Sequence, residues 1–560
     1  MNNSSGNPRN DSEHRIDRRR FLQSSGKIAG AAALAAGLGG LETGSVHAKF
    51  LPSKKATVET TSGSIRGGIA DGVYIFRGVP YGASTGGDNR FLPPNAPKKW
   101  SGVRDTVEYG NGCPQSSRNL VKPAALSWFT PFWPASTSED CLFLNVWTPA
   151  LKDGGKRPVM VWLHGGGYST GSGASSSYDG TNNVKRGDVV SITINHRLNV
   201  FGYTHLDDIM GENFKDSGNA GMLDIVLALD WVRDNIENFG GDPDNVMIFG
   251  ESGGGAKVST LLGMPGAKGL FHRAAIQSGP GIRVSEPDAA TITATMLLDE
   301  LGIKSGAYKK LQAVPHKQLH AAHLAIGTRA SRAGGAGFRP VLGDAVPQHP
   351  FDPVGSPLSA DVPVLIGTNQ HETALFSVAD TEVWTLDDAG LAARAQRLAG
   401  DASDELLRVY RGAFPDSDPT SVYFAMASDR GTRMRSILLA ERKAQQGAAP
   451  VYMYRFDWLT QAWEGRFRAA HAFEIPFVFG NAQLNDEITG GGPDAVDLAA
   501  KMSAAWIAFA RTGNPNHAAI PRWNAYTEKA RNTMLFNDEC QAVDDPGGNE
   551  RRFWKKQQSS

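Results

Sequence analysis

A serine between two glycines is the residue in this chain with the clearest capacity for chemistry. The segment Gly250-Glu-Ser252-Gly-Gly254 follows a short apolar run, residues 246–249, and precedes an apolar-periodic segment that predicts a helix. A serine hydroxyl is a weak nucleophile unless it is held exposed beside a base, and a sharp strand-to-helix turn with flanking glycines holds it so. The first amides of such a helix point at the group that the serine attacks. The pattern predicts a nucleophile elbow; the alternative is an ordinary glycine-rich turn.

A second glycine-rich segment follows another apolar run. Residues 157–163 are typical of a strand buried on both faces, and they lead into His164-Gly165-Gly166-Gly167. Three successive glycines allow the backbone to fold back with its amides pointing into a cavity. Because a tetrahedral oxyanion needs N–H donors that are already in position, the segment predicts an oxyanion hole. The alternative is a flexible glycine loop.

A glutamate and a histidine later in the chain have side chains of the kinds that nucleophilic catalysis uses. Glu372 follows an apolar run, residues 362–367, that predicts a buried strand, and His471 lies in a later segment. An imidazole can take the proton of Ser252, and a carboxylate on its other nitrogen fixes the tautomer. Asp344, which also follows a predicted strand, is the alternative acid. The order serine, acid, histidine is that of the α/β-hydrolases.

The elements that position these residues alternate between strands and helices. Strands are predicted over residues 157–163, 188–195, 246–249, 362–367 and 451–456, and helices over residues 224–238 and 385–447. Such alternation predicts a largely parallel sheet joined by right-handed crossovers. Short alternating stretches within residues 56–77 predict antiparallel strands at one edge.

Composition narrows the class of protein. The chain has 560 residues, 41% of them hydrophobic, and a formal net charge of zero. That length permits several domains, although large α/β enzymes often form one. Balanced charge without a Lys/Arg block argues against nucleic acid or an anionic membrane as the main partner. No Cys/His cluster has metal-ligand spacing, so neither a metal nor a cofactor is predicted.

Residues 1–48 have the pattern of an export signal. A polar start is followed by Arg18-Arg19-Arg20-Phe-Leu, a weakly apolar run over residues 28–41, and small residues around Ala48. The apolar run is too short and too weak to span a bilayer. The segment predicts a twin-arginine signal that is removed, leaving residues 49–560 as one domain of a bacterial periplasmic or secreted protein. The alternative is a disordered basic tail.

The chain contains three cysteines, Cys113, Cys141 and Cys540. In an exported protein, Cys113 and Cys141 are placed to close a loop, so a disulfide between them is predicted and Cys540 is left free. Two buried free thiols are the alternative.

Several motifs in one order make the chain resemble the type-B carboxylesterase family, which includes the cholinesterases. They are Glu139-Asp-Cys-Leu-Phe-Leu-Asn145, His164-Gly-Gly-Gly-Tyr168, Gly250-Glu-Ser-Gly-Gly254, His471-Ala-Phe-Glu-Ile-Pro-Phe-Val-Phe-Gly480 and Thr512-Gly-Asn-Pro-Asn516. The resemblance runs from about residue 57 to residue 540. It implies an α/β-hydrolase fold, with a large, mostly parallel central sheet, helices on both faces and an N-terminal antiparallel edge.

The resemblance also implies roles for individual residues. Ser252 would be the nucleophile, His471 the base and Glu372 the acid that orients it; the oxyanion donors would be the amides of Gly166, Gly167 and Gly253. Gly253 stands where the family more often has alanine, which keeps the backbone donor but allows a looser elbow. The loop disulfide of the family corresponds to Cys113 and Cys141.

Other charged residues have structural interpretations. Arg90 with Glu139, and Arg197 with Asp224, correspond to internal ion pairs of the family.

Three residues beside the predicted site receive no catalytic role. His164 and His371 flank the site elements but match no catalytic position, so local hydrogen bonding is expected for them. Glu251 precedes the nucleophile, and alternation along the strand predicts that its side chain points away from the pocket.

The loop of residues 114–140 is rich in aromatic side chains, Trp128, Phe129, Phe132 and Trp133. In the cholinesterases the corresponding loop contributes a tryptophan to the wall of the substrate gorge, and Trp133 is the nearest candidate here. The loop has no acidic residue before Glu139, which favours neutral alkyl or aromatic esters over choline esters. The alternative is that these rings pack on the core.

Together these features predict a serine carboxylic-ester hydrolase that acts on small-molecule esters through an acyl-serine intermediate. One alternative keeps the same machinery but cleaves carbamates or amides. Another is a non-catalytic binding module, since some relatives have lost the serine; the presence of Ser252, Glu372 and His471 argues against it. The sequence predicts no oligomeric state.

Overall fold

A computed structural model describes residues 50–116 and 134–559 of the chain. From Phe50 onward the chain forms one compact unit. The predicted signal segment, together with Trp128, Phe129, Phe132 and Trp133, lies outside the described residues, so the signal and the role of Trp133 stay predictions. None of the helices in the described residues combines the length and the apolar character needed to span a bilayer.

The strands of the described residues form one large sheet and one small sheet. They are β1 (Thr57–Thr60), β2 (Gly63–Arg66), β3 (Gly68–Ala70), β4 (Val73–Pro80), β5 (Val103–Asp105), β6 (Phe143–Thr148), β7 (Arg157–Leu163), β8 (Val190–Ile194), β9 (Gly241–Glu251), β10 (Arg273–Gln277), β11 (Val364–Asn369), β12 (Val451–Phe456), β13 (Asn532–Phe536) and β14 (Gln541–Asp544).

The large sheet has the order β14-β13-β12-β11-β10-β9-β7-β8-β6-β4-β3. Its central strands, β13 to β8 in that order, pair in parallel. Antiparallel pairs lie at both edges, β13 with β14 on one side and β8-β6-β4-β3 on the other. The predicted α/β-hydrolase fold with an N-terminal antiparallel edge is therefore confirmed.

One part of that edge differs from the prediction. Strands β1, β2 and β5 form a separate three-stranded sheet in which β2 is central. At Gly67, between β2 and β3, the backbone N–H donates to Ala56 and the carbonyl accepts from Ser53. These bonds continue the β1–β2 pairing as far as Gly67, so the chain joins the large sheet only at β3.

Helices connect the strands. The α-helices of the described residues are α1 (Thr181–Gly187), α2 (Asn199–Tyr203), α3 (Asp207–Met210), α4 (Ala220–Asn235), α5 (Gly253–Leu261), α6 (Pro287–Leu301), α7 (Tyr308–Ala313), α8 (His316–Arg332), α9 (Thr373–Phe376), α10 (Asp388–Ala399), α11 (Ser403–Ala413), α12 (Pro419–Ser428), α13 (Met434–Gln446), α14 (Ile475–Val478), α15 (Asp486–Thr489), α16 (Gly492–Thr512) and α17 (Gly548–Ser559).

Both faces of the large sheet are buried, as the continuous apolar runs predict. Along β9, Ile248 belongs to a hydrophobic cluster that includes residues of α4. Met247 and Phe249 point to the opposite face and pack in a second cluster with residues of α16. Because side chains alternate along a strand, each residue of β9 can be assigned to one of these two faces.

The two predicted internal ion pairs are confirmed. Nη2 of Arg90 lies 2.6 Å from Oε2 of Glu139. Nη2 of Arg197 lies 2.6 Å from Oδ1 of Asp224, and both side chains are fully buried. These pairs join segments that are far apart in the chain.

The predicted disulfide is absent, and this prediction is wrong for the structure. Cys113 and Cys141 are buried free thiols, and Cys540 is also free. The Cys113 sulfur accepts a hydrogen bond from the amide of Leu198 at 3.2 Å, which directs it toward that backbone. A hydrogen bond with Cys113 and burial raise the pKa of Cys141 well above its ordinary value, which keeps its thiol protonated.

Candidate active site

Ser252 occupies a strained turn between β9 and α5. Its backbone has φ 56° and ψ −121°, a conformation that costs a non-glycine residue on the order of 1–3 kcal/mol. The Ser252 amide donates to the carbonyl of Gln277 at 2.8 Å. A Cβ atom at Gly254 would lie 1.9 Å from the carbonyl oxygen of Leu163, so glycine is required for this close approach to β7. The predicted sharp turn from strand to helix is present.

The glycine loop after β7 lies directly against this elbow. Gly166 and Gly167 have φ of 84° and 62°, in the left-handed region that favours glycine. A Cβ atom at Gly253 would lie 2.1 Å from the carbonyl oxygen of Gly167, so the loop packs on the first residue of α5. Helix N-terminal amides such as that of Gly253 have no partner within the helix. The three predicted donors are thus adjacent.

Glu372 and His471 contact each other directly. Nδ1 of His471 lies 2.5 Å from Oε2 of Glu372, and both side chains are buried. The other carboxylate oxygen of Glu372 accepts from the amide of Asn369 at 2.8 Å. Nδ2 of Asn369 donates to the carbonyl of Ala470 at 2.6 Å. Asn369, the last residue of β11, therefore positions both members of the pair, a role that no motif in the sequence indicates.

Glu251 also lies in the site, contrary to the prediction. Its Oε1 atom is 3.0 Å from Nε2 of His471, although the angles are not those of a hydrogen bond. Alternation along β9 does place Glu251 on the same face as Phe249, away from the face of Ile248. The segment that carries His471 packs on this face, however, so the site extends to Glu251.

Electrostatics in this cluster favour a charged imidazole. Burial alone would lower the pKa of His471, but the negative charges of Glu251 and Glu372 outweigh it and raise the pKa well above 6.5. A third carboxyl, Glu474, has its pKa raised to about 8 by burial and by the charges of Glu251 and Glu372. Glu474 is therefore mostly protonated at neutral pH. Asn369 donates to its Oε2 at 2.7 Å.

A cavity of about 220 Å³ opens beside Ser252. His471, Glu251 and the loop residues Gly165, Gly166 and Gly167 line it with Ser252. Its remaining wall is largely apolar and is formed by Thr170, Gly171, Tyr178, Leu375, Phe376, Ala472 and Ile475. The Phe376 ring is 69% exposed and its centroid lies 4.8 Å from that of the His471 ring. The structure therefore brings the predicted nucleophile, base and acid together beside an apolar pocket.

The alternative acid lies elsewhere, and the two histidines that received no catalytic role are neutral. The side chain of Asp344 is 71% exposed and pairs with Lys215 at 2.6 Å. Burial lowers the pKa of His164, and likewise that of His371, to about 3. His164 contacts the carbonyl of Gly165 through Nδ1 at 2.9 Å, in line with the local hydrogen bonding expected for it. Among the described residues, no group of three or more His, Cys, Asp or Glu is arranged to hold a metal ion.

Known proteins resemble this chain over most of its length. The chain matches the carboxylesterase family model over residues 54–554. It is 36% identical over 510 residues to the para-nitrobenzyl esterase of Bacillus subtilis (strain 168), covering 88% of this chain and 97% of that protein. A carboxylesterase of Geobacillus stearothermophilus superposes with a TM-score of 0.76 at 38% identity, covering 89% of this chain and 100% of that one.

A third relative is an esterase of the anaerobe Clostridium hathewayi that can hydrolyze aliphatic aromatic polyesters. It superposes with a TM-score of 0.79 at 35% identity, covering 90% of this chain and 99% of that one. The family model spans nearly the whole length of this chain. The chain therefore belongs to the carboxylesterase family and is a carboxylic ester hydrolase.

Proposed function

We propose that the enzyme hydrolyses neutral alkyl or aromatic esters through an acyl-serine intermediate, with Ser252 as nucleophile, His471 as base and Glu372 as the orienting acid. One observation carries the proposal. Ser252 and His471 line the same cavity, and Glu372 contacts the far nitrogen of His471 at 2.5 Å.

The geometry supports a defined proton path. The Nδ1–H of His471 donates a hydrogen bond to Glu372, so Nε2 is the nitrogen that takes the proton of Ser252 as its Oγ attacks the ester carbonyl. In the described residues, Nε2 has no hydrogen-bond partner. The imidazolium then gives its proton to the leaving alcohol, and water repeats the two steps to release the acid.

The negative charge on the carbonyl oxygen needs donors that are fixed in advance. The amides of Gly166, Gly167 and Gly253 are proposed for this role, because the glycine loop lies against the elbow. Donors of this kind typically contribute about 10²–10³-fold each to turnover.

The cavity wall supports the substrate class. Leu375, Phe376, Ala472 and Ile475 offer apolar surface on which alkyl or aromatic groups gain from burial. The carboxylate of Glu251 faces His471 rather than forming an unpaired anionic site. A relative named for a para-nitrobenzyl ester is consistent with an aromatic alcohol group.

The experiment that tests this proposal compares Ser252→Ala with the wild-type enzyme on a panel of p-nitrophenyl esters. Turnover should fall by several orders of magnitude while the protein stays folded, and an organophosphate should no longer label it covalently. A Ser252→Ala enzyme that kept a tenth of wild-type turnover would contradict the assignment. Carbamate and amide analogues in the same panel show whether the enzyme cleaves ester, carbamate or amide bonds fastest.

We also propose that the enzyme is exported through the twin-arginine route and is periplasmic or secreted. The support is the arginine motif at Arg18 and Arg19, the weak apolar run and the small residues around Ala48. Replacing Arg18 and Arg19 by lysine should prevent export, so that the esterase activity stays in the cytoplasmic fraction of a bacterial host. Equal export of this variant and the wild type would contradict the route, and N-terminal sequencing of the exported protein locates the cleavage.

A further inference from the structure

A fully buried lysine connects the nucleophile helix with the glycine loop. Lys257 lies in α5, five residues after Ser252, and its side chain has no exposed surface. Its Nζ donates to the carbonyl of His164 at 3.0 Å and to the carbonyl of Gly167 at 2.9 Å. These two carbonyls bracket the peptide units that carry the amides of Gly166 and Gly167.

We propose that Lys257 is a positioning residue for the oxyanion hole. Its side chain holds the glycine loop at a fixed distance from Ser252. This inference rests on the proposed function of the loop amides. It names a residue that contacts neither the substrate nor the reacting atoms.

The loop requires an external anchor because of its composition. Glycine loses more conformational freedom on ordering than any other residue, and Gly166 and Gly167 have no side chains that could pack. Oxyanion donors must nevertheless lie within about 0.5 Å of their productive positions. Lys257 meets this need from the same helix that begins at the elbow, so the nucleophile and the loop share one rigid frame.

Gly253 provides an independent observation of the same contact. The atom nearest to a Cβ at this position would be the carbonyl oxygen of Gly167, at 2.1 Å. That oxygen is the one that Lys257 holds. The absence of a side chain at Gly253 allows the loop to come this close, and the lysine keeps it there.

The chemistry of the amine fits this role. Lys257 forms no ion pair with a described carboxylate, and burial lowers its pKa to about 7, with the charge of Glu251 opposing the change. A neutral amine keeps two N–H donors, so it can serve both carbonyls in either protonation state. Burying an amine costs free energy that an apolar residue at position 257 would not cost. The presence of lysine there indicates that its N–H donors have a role.

The chain offers a matched control. Lys443 is also fully buried, and its Nζ donates to the carbonyls of Ser359 and Ala360 at 2.7 and 2.8 Å. It lies in α13 and does not line the cavity of Ser252. Lys443 also donates to Oε1 of Gln446 at 3.0 Å. Lys443→Met therefore removes a comparable set of buried hydrogen bonds at a site where no effect on the oxyanion is expected.

The test compares Lys257→Met and Lys443→Met for kcat, KM and inhibition by a trifluoromethyl ketone, which forms a tetrahedral oxyanion adduct with an active-site serine. For Lys257→Met we expect kcat to fall by about 10–100-fold with little change in KM, and the inhibition constant of the ketone to rise by a similar factor. The matching alcohol, which forms no oxyanion, should bind as before. Lys443→Met should keep wild-type kcat per folded molecule.

A second variant, Lys257→Gln, keeps the inference testable if Lys257→Met does not fold. Lys257→Gln retains an NH₂ donor on a side chain one bond shorter, and it should keep more kcat and tighter ketone binding than the methionine variant. Wild-type kcat in Lys257→Met would overturn the inference. Equal losses in both lysine-to-methionine variants, or equal weakening of ketone and alcohol, would also overturn it. Because Ser252→Ala is measured in parallel, failure of the proposed function is distinguished from failure of this inference.

Discussion

The carboxylate of Glu251 lies 3.0 Å from Nε2 of His471, at the nitrogen opposite the one that contacts Glu372. The imidazole is thus held between two carboxylates. Such an arrangement stabilises the imidazolium that forms during attack by Ser252, but it also favours that charged form in the resting enzyme. The two effects act in opposite directions on turnover near neutral pH.

The pH dependence of turnover should reveal this balance. Only the neutral imidazole accepts a proton, so kcat/KM should rise with pH as His471 loses its proton, and the rise should lie above pH 6.5 because the pKa of His471 is raised. Glu251→Gln removes one of the two charges that stabilise the imidazolium. The pKa of His471 should then fall, and the rise in kcat/KM should move to lower pH.

Glu474→Gln is the control for this shift. Since the pKa of Glu474 is about 8, its carboxyl is already mostly neutral below that pH, and its replacement should leave the rise nearly in place. A profile that did not move in Glu251→Gln would refute the electrostatic role of Glu251.

The identity of the acid is tested by a second pair of variants. Glu372→Gln removes the charge that fixes the His471 tautomer and should lower kcat by about 10³–10⁴-fold, by analogy with triad acids. Asp344→Asn should leave kcat unchanged, because Asp344 is exposed and pairs with Lys215. Steady-state kinetics of both variants measure kcat. A large loss in Asp344→Asn with little loss in Glu372→Gln would make Asp344 the triad acid.

A single methyl group should disturb the glycine loop. Gly253→Ala places a Cβ atom 2.1 Å from the carbonyl oxygen of Gly167 and 2.5 Å from its Cα, so backbone must move. A displacement near 1 Å at a catalytic group lowers turnover by about 10²-fold, and a loss of this order in kcat is expected. Gly327→Ala, in open space within α8, is the control and should keep full activity. Full activity in Gly253→Ala would mean that the loop relaxes without cost.

The sequence was most informative where backbone geometry demands a particular residue type. The elbow at Ser252 and the loop at Gly166 and Gly167 are predicted because few residues other than glycine permit a positive φ or so close an approach of two backbones. The parallel sheet was predictable for a related reason, since strands buried on both faces carry continuous apolar runs.

The remainder of the site depends on which face of the sheet distant segments cover. The prediction from alternation that Glu251 points away from the pocket was wrong, because no local pattern indicates that His471 packs on the same face of β9 as Glu251. The same applies to Asn369 and Glu474, whose roles arise from contacts between β11 and the segment after β12. Local sequence could not predict these contacts because they join residues about 100 positions apart in the chain.

Removing one member of a buried ion pair should affect stability more than activity. Asp224 accepts from Nε, Nη2 and the backbone N–H of Arg197, and both side chains are fully buried. Asp224→Asn leaves the guanidinium without a counter-charge and should lower the free energy of unfolding by about 3–5 kcal/mol. The exposed pair of Arg66 and Asp105 supplies the comparison, because Asp105→Asn should cost far less. Denaturant unfolding measures the free energy of unfolding of both variants, provided that the m-value is unchanged. Equal losses of stability in the two variants would contradict the role of burial.

The exposed Phe376 ring offers a test of the substrate class. It lines the cavity and lies 4.8 Å from the His471 ring, so an alkyl or aromatic group of a bound ester would pack against it. Phe376→Ala removes apolar contact surface without a charge and should raise KM for bulky aromatic esters several-fold, since burial of such rings contributes about 25 cal/mol per Å². Small acetates do not fill the cavity and should keep their KM. A matched panel of p-nitrophenyl and benzyl esters with short and long acyl groups makes this comparison. Equal changes for small and bulky esters would place Phe376 in the support of His471 instead of in the substrate wall.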